Sequence, residues 1–320
     1  MILFQIYICT GVKNMNALKI SILIGSRNRA NILRHCLKSL LSQDYEEFEI
    51  IILDDASEES KAYVNVINEF GDQRIRLMRS EKPLGVSGSR NVLMQHASGD
   101  AFFIIDDDAY LCNNDSLSKI AEIFGVKNEI GIIACKILNQ GVVDKTYVVP
   151  FSQRELKKNP NIVDKGQYVG YFLGGAHAIH KNVIKMCGGY DSMLFFGEEE
   201  LDLSYRAISL GWKIWYEPSI FVYHKAQASV LGREGEFEEL YHHVKNRFYL
   251  AWRYLPGQYG IPYIGLWMGK YFYNAIREGS FGSYFGGILA GLHLLIRTPR
   301  EPLDRQSINY LKNNFGRLWY

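Results

Sequence analysis

Short apolar runs alternate with amphipathic segments through the first hundred residues, and two of those runs end in clustered carboxylates. Lys19–Ile24 is apolar and closes on Gly25, Ser26, Arg27 and Asn28. Ile32, Leu33, Cys36, Leu37, Leu40 and Leu41 then fall on one helical face. Phe48–Leu53 ends in Asp54 and Asp55, and Ser57–Phe70 reads as a helix with Ser57 as N-cap ahead of Glu58 and Glu59. Ile75–Met78 is a third strand, Ser87–Ala97 a helix, and Ala101–Ile105 a fourth strand running into Asp106, Asp107 and Asp108. Uninterrupted apolar strands alternating with helices predict an α/β, Rossmann-like fold, with a mostly parallel sheet covered on both faces. Ligands of such sheets bind beyond the carboxyl ends of the strands, where these carboxylates lie.

Further along, Asn139–Tyr168 is polar and weakly periodic, which predicts a long loop or small insertion. Tyr171–His180 and Trp212–His224 are strand-like, and Glu199–Leu210 is helical. Beyond Gly235 the chain is helical and aromatic, with breaks at Pro256, Pro262, Gly279 and Pro299. From Leu240 onward ten Lys/Arg face three Asp/Glu, although the whole chain has a net charge of only +2. A basic, aromatic tail on a slightly acidic body favours an anionic membrane face over nucleic acid as its partner. Phe281–Ile296, the longest apolar stretch there, extends roughly 24 Å as a helix, short of the ~30 Å hydrocarbon core. No transmembrane helix is expected.

Met1–Val12 is apolar but lacks a basic leading segment, so it reads as an extension rather than a signal peptide, with Met15 an alternative start. The five cysteines (Cys9, Cys36, Cys112, Cys135 and Cys187) form no metal or disulfide spacing and fit reduced thiols in a cytoplasmic protein.

Asp106 and Asp108, two apart at a strand end, project the same way in extended geometry. Adjacent carboxylates repel unless a cation or hydrogen-bond donors compensate them. All-oxygen donors suit Mg²⁺ or Mn²⁺, either of which also grips phosphate oxygens.

Four segments carry a family resemblance: "ISILIGSRNR", "FEIIILDDAS", "GVSGSRNVLMQHASGDAFFIIDDDAY" and "GGAHAIHKNVIKMCGGYDSMLFFGEEELDLSYRAISLGWKI". In order and spacing they resemble the inverting family 2 glycosyltransferases of GT-A fold, over Lys19 to about His224. The resemblance implies a nucleoside-diphosphate sugar donor, UDP- or dTDP-linked, and a sugar, glycan or lipid-linked acceptor. It places Gly25 and Ser26 at the nucleotide base and Asp54 on a uracil or thymine imide N–H. Asp55 is read as a turn residue or a second binding carboxylate. Arg90 falls on the nucleotide or on the aspartates.

Asp106 and Asp108 match the DxD pair, Asp107 its middle position against sugar or ribose, and His224 a further metal ligand that tilts the choice from Mg²⁺ toward Mn²⁺. Glu200 aligns with the catalytic base, and a one-residue shift in register would give Glu199 instead. Gly174, Gly175 and Asp202 fall on the acceptor side.

The implied division is an extension (1–18), a catalytic domain (19–235, with nucleotide-binding 19–110 and acceptor-binding 111–235) and a helical region (236–320). Trp252, Tyr254, Tyr263, Trp267, Tyr271 and Tyr273 in that last region suit peripheral contact with the inner face of the cell membrane. Homodimerisation or acceptor binding is the rival use of the same helices. The implied chemistry is inverting transfer in polysaccharide or glycoconjugate synthesis. A sugar nucleotidyltransferase and a catalytically inactive nucleotide-sugar-binding protein remain the alternatives.

Overall fold

The computed structural model describes residues 17–140, 145–225 and 232–319. The readings of Met1–Val12, Met15 and Cys9 lie outside the described residues. The first half alternates as expected: β1 (Ile20–Ser26), α1 (Leu33–Leu41), β2 (Phe48–Asp54), α2 (Ser60–Phe70), β3 (Ile75–Arg79), α3 (Gly85–His96) and β4 (Ala101–Ile105). There follow β5 (Ala109–Leu111), α4 (Ser116–Val126), β6 (Ile130–Gln140), β7 (Lys145–Val148), α5 (Gln153–Lys158), β8 (Gln167–Val169), β9 (Ala176–His180), α6 (Lys181–Cys187), α7 (Glu199–Ser209) and β10 (Lys213–His224). The helical region comprises α8 (Gly232–Tyr254), α9 (Gly257–Glu278), α10 (Phe281–Arg297) and α11 (Arg305–Asn313). A boundary at 235/236 therefore falls inside the first turn of α8.

One mixed sheet has the order β3-β2-β1-β4-β9-β6-β10-β5, with β7 on β6 and β8 on β10. β3, β2, β1 and β4 are mutually parallel, and β9 runs against both β4 and β6. The chain winds outward from β1 through β2 to β3, then returns to the other flank of β1 as β4. That reversal opens a crevice at the carboxyl ends of β1 and β4, the switch point at which open α/β sheets bind ligands. The apolar residues of β1, β2 and β4 are buried on both faces, and α1 seats Leu33, Cys36, Leu37 and Leu40 on the sheet.

Three expectations change. Ser57 does not cap α2, which starts at Ser60 behind Glu59. The Ser57 N–H donates to Asp54 (2.9 Å) and its Oγ accepts from the Asn28 N–H (2.7 Å), so Ser57 ties two strand-end turns together instead. Asn139–Tyr168 is not a plain loop. Its described part completes β6, adds β7, opens α5 with a Ser152–Glu155 capping box and reaches β8. Elements of 4, 6 and 3 residues are too short to leave a readable hydrophobic period. Pro262 lies inside α9 and does not end it.

Cys36 and Cys135 are buried, Cys112 and Cys187 half-buried, and all four are free thiols. Tyr254, Tyr263 and Tyr271 are buried and Trp252 and Trp267 half-buried, so of the six aromatics assigned to a membrane only Tyr273 is freely exposed, at 60%. Helical spacing alone does not say which aromatic side closes on neighbouring helices. No helix among the described residues is long and apolar enough to cross a membrane.

α10 packs on α8 through two glycines. A Cβ on Gly287 would sit 2.8 Å from both the Tyr241 carbonyl and the Val244 Cβ, and one on Gly291 2.8 Å from the Phe248 Cβ. Gly287→Val should destabilise the fold by about 1–3 kcal/mol in urea denaturation, because the Tyr241 backbone cannot give way. An unchanged midpoint would show that this contact is not close-packed.

Candidate active site

The chain leaves β4 into Asp106–Asp108 and leaves β10 at His224, and β5 brings these two strand ends together by pairing with β10. His224 Nε2 lies 3.0 Å from Asp108 Oδ1 and 3.7 Å from Asp106 Oδ2. Ligand atoms of Asp106, Asp108 and His224 all fall within 4.8 Å of one another. His224 Nδ1 sits 2.8 Å from Asn139 Oδ1, an acceptor that favours a proton on Nδ1, so Nε2 is the nitrogen turned to the carboxylates: protonated it donates to Asp108, and deprotonated it is free to ligate a cation. Two carboxylates and an oriented imidazole form a donor set that fits a divalent cation, and the imidazole suits Mn²⁺ better than Mg²⁺.

Asp107 turns the other way. Its side chain is fully buried, accepting from Ser26 Oγ (2.5 Å) and from Arg29 Nε and Nη2 (3.2 and 2.5 Å). Arg29 Nη1 also reaches Asp108 at 3.1 Å. Expected against sugar or ribose, Asp107 is placed with Ser26 and Arg29 as its partners and its side chain inside the fold.

A second group of carboxylates meets Arg90 of α3, which is buried. Its Nη1 lies 2.8 Å from Glu200 and 3.3 Å from Glu199, while Nη2 lies 3.2 Å from the Gly174 carbonyl and 3.9 Å from Asp106. The aspartates were one of its two expected partners, but its hydrogen bonds go to the glutamates of α7, with Asp106 farther off. Gly174 has no side chain for a reason: a Cβ there would overlap the Glu200 carboxylate. The space was expected to admit an acceptor sugar, and the glutamate fills it. Gly175 accepts from the Asp106 N–H (3.1 Å) and so aligns β9 with the cluster.

These groups line a cavity of about 240 Å³ with Val86, Arg90, Asp106, Gly174, Gly175, Phe196, Gly197, Glu199, Glu200 and His243 on its walls. Glu200 is 15% exposed there and Glu199 4%. Burial and the adjacent Glu200 push the Glu199 carboxyl well above the ordinary range, against the opposing charge of Arg90. Glu199 is the more enclosed of the two, while Glu200 faces the cavity beside a guanidinium.

Asp202 and Asp54 are among the expected site residues outside this cavity. Asp202 is fully buried between Arg206 and Tyr254, whose hydroxyl donates at 2.6 Å, and so ties α7 to α8. Asp54 is 1% exposed, with one oxygen on the Ser57 N–H and the other 2.7 Å from Arg79. The side chain of Arg79, which ends the neighbouring β3, is 46% exposed. Asp55 accepts from Ser80 and from the N–H groups of Leu84 and Gly85, the turn role that was one of its two readings. Gly25 sits one residue before Ser26 with ordinary contact to Ser89. Arg29, Arg79, Asn139, Phe196 and His243 were not foreseen. For Arg29 the signal was present, as a second basic residue in the turn after β1.

The parallel half-sheet, the antiparallel β9 and the carboxylates at the switch point define a GT-A glycosyltransferase fold. The model of "Glycosyl transferase family 2" matches residues 21–185, and the chain belongs to that family. Membership sets aside the sugar nucleotidyltransferase reading.

Among curated relatives, the chain is 28% identical over 45% of its length to the Escherichia coli UDP-Glc:alpha-D-GlcNAc-diphosphoundecaprenol beta-1,3-glucosyltransferase WfgD, covering 56% of that protein. It is 25% identical over 65% of its length to the Campylobacter jejuni GalNAc(5)-diNAcBac-PP-undecaprenol beta-1,3-glucosyltransferase, covering 63% of it. The chain thus spans less than two-thirds of these relatives. The mannosyltransferase PcManGT of Pyrobaculum calidifontis, solved with GDP-Man and Mn²⁺, superposes with a TM-score of 0.56 at 16% identity, over 72% of this chain and 64% of that one.

With no ion bound, burial lifts the Asp106 carboxyl from 3.8 to about 6 against Arg90 and His224, and the Asp107 carboxyl to about 7 against Arg29 and Ser26. Burial would also raise Asp108 and lower His224, but their mutual hydrogen bond and charges win, leaving Asp108 below and His224 above its ordinary value. Folded-state values raised above 3.8 stabilise the metal-free protein fully below pH 3.8, and this contribution is lost as pH rises through about 6 and about 7. A cation reverses the balance by binding the deprotonated groups. Mn²⁺ should therefore raise the Tm by several degrees near about pH 8 and little near about pH 5. Asp108→Asn should remove the gain at both, and a gain independent of pH would exclude this donor set.

Proposed function

We propose that the chain transfers a sugar from a nucleoside-diphosphate sugar, UDP- or dTDP-linked, to an acceptor hydroxyl with inversion at the anomeric carbon, in polysaccharide or lipid-linked glycan assembly. The observation that carries this reading is Arg90, which stands between Glu200 and Asp106 in the lining of one cavity. The proposed base thus shares that cavity with one carboxylate of the proposed cation site. Glucosyltransferase relatives that act on diphosphoundecaprenol-linked sugars support the donor and acceptor classes.

Asp106, Asp108 and His224 would hold Mn²⁺ or Mg²⁺, which when bound neutralises charge developing on the departing diphosphate. Glu200 takes the acceptor hydroxyl proton as the oxygen attacks the anomeric carbon from the face opposite the leaving group. Arg90 aims the Glu200 carboxylate, with its Nη1 2.8 Å from Glu200 and 3.3 Å from the neighbouring Glu199. Ser26, held by Asp107, and Arg79, held by Asp54, present the β1 and β3 ends to the nucleotide. Shared confinement of donor, acceptor and base supplies much of the acceleration.

The outer face of α9 and α10 gives membrane association a physical basis. Ile261, Leu266, Phe272, Tyr273 and Ile276 on α9 and Phe281, Phe285, Leu289, Leu292 and Ile296 on α10 are all exposed. The two stripes join where Phe272 meets Phe281, with ring centroids 6.3 Å apart. Lys270, Arg277, Arg297 and Arg300 stand exposed around them, a rim complementary to anionic headgroups.

Two measurements test the reading. In a thermal-shift screen of nucleotide sugars with Mn²⁺, the true donor should stabilise wild type and Glu200→Gln equally, while Glu200→Gln loses about 10²-fold or more in turnover. Full activity in that variant would remove Glu200 from the base position, and a wild type inert toward every donor would favour a binding protein. In sedimentation with phosphatidylglycerol vesicles, Leu289→Glu combined with Ile296→Glu should weaken binding about tenfold or more. A monodisperse dimer that dissociates in the same variant would assign the face to a second copy instead.

A further inference from the structure

The segment that delivers Glu199 and Glu200 has an unusual backbone. Gly197 and Glu198, immediately before α7, both have positive φ, 77° and 73°. Glycine adopts this region freely, but glutamate does so only when its surroundings enforce it. The surroundings come from α8, outside the residues that match the family model.

His243, Asn246 and Arg247 occupy one face of α8 at i, i+3 and i+4. The Asn246 side-chain amide donates to the carbonyls of Phe196 (2.9 Å) and Gly197 (2.7 Å). Arg247 forms a buried ion pair with Glu198, their side chains being 2% and 6% exposed. The Arg247 guanidinium also lies 3.7 Å over the Trp267 ring and contacts the Tyr263 hydroxyl, both on α9. His243 Nδ1 is 3.3 Å from Glu198, and its ring fills the space that a Gly197 Cβ would need, 2.7 Å away. Burial would raise the Glu198 carboxyl, but Arg247 and His243 outweigh it and hold it at about 2.

We propose that this face of α8 is a positioning element for Glu200: it grips the Phe196–Glu198 turn in its left-handed conformation, so that α7 begins with its glutamates turned into the cavity. Arg247 is then a positioning residue, acting on the reaction through Glu198 and the first turn of α7. The inference rests on Glu200 as the base. It makes the helical region a working part of the catalytic unit.

The test uses the full chain with UDP-glucose and Mn²⁺, reading UDP release, together with amide hydrogen exchange of the ligand-free protein. Removing Arg247 alone strands a buried Glu198 charge, so the informative variant is Glu198→Gln combined with Arg247→Met, which replaces the ion pair by a neutral pair. Its kcat should fall about 10–100-fold while the KM for UDP-glucose stays within about twofold, because the donor half of the site is untouched. Amides of residues 196–202 should exchange about tenfold faster, with those of β1 and β4 unchanged. Arg247→Lys, retaining the charge, should recover part of the kcat.

Unchanged kcat and unchanged exchange in 196–202 would overturn the proposal, as would faster exchange spread evenly over the sheet. If wild type does not turn over UDP-glucose, the exchange pattern decides alone. An active Glu200→Gln sinks the base assignment, whereas an inactive Glu200→Gln beside a fully active double variant sinks only the grip.

Discussion

Carboxylates crowd one end of this sheet more densely than water alone would tolerate, and compensating them organises the neighbouring structure. Asp106, Asp107 and Asp108 leave β4, while Glu198, Glu199 and Glu200 enter α7, with Arg90 spanning the two groups. Three guanidiniums from distant parts of the chain supply the main compensation. Arg29 in the turn after β1 takes Asp107 and Asp108, Arg90 of α3 takes the glutamates, and Arg247 of α8 takes Glu198. Arginine suits each position because its planar fork serves two acceptors at once and keeps its charge when buried. Each pairing fixes a segment as well as a charge, so the electrostatics of the site and the packing around it form one constraint.

Two of the carboxylates that line the cavity remain incompletely compensated, and they are informative. Asp106 is lifted to about 6 despite Arg90 and His224 nearby. Glu199 is lifted well above its ordinary range, and one of its oxygens has no partner among the described residues. Residual cost of this kind is tolerated where ligands supply the missing charge, which agrees with a cation at the aspartates and a reacting hydroxyl near the glutamates.

The alternation of strand and helix to β4 was legible because buried strands and amphipathic helices leave different periods in sequence. The roster of acidic residues was legible through motif order. Their division of labour was not. Asp107 and Asp202 stand in motifs beside residues that line the cavity, yet both are wholly buried. A single step along a turn or helix rotates a side chain from ligand to core, and no local period records that rotation. The elements between Gln140 and Val169 are likewise too short to announce themselves. Aromatics beyond Trp252 were visible as a class, but the outward face of α9 and α10 belongs mainly to Leu, Ile and Phe residues that composition alone did not distinguish from core.

By itself, then, the sequence determined the fold class, the family and the chemical character of the site, because strand burial, helix periodicity and motif spacing are local properties of the chain. Tertiary structure decided which carboxylates face the cavity, which arginine answers each of them, and how α8 becomes a wall of the site through His243, Asn246 and Arg247. Those outcomes depend on contacts between residues 45 to 110 positions apart. Charge compensation at such separations is settled only when the helices close around the sheet and remove water from between the partners.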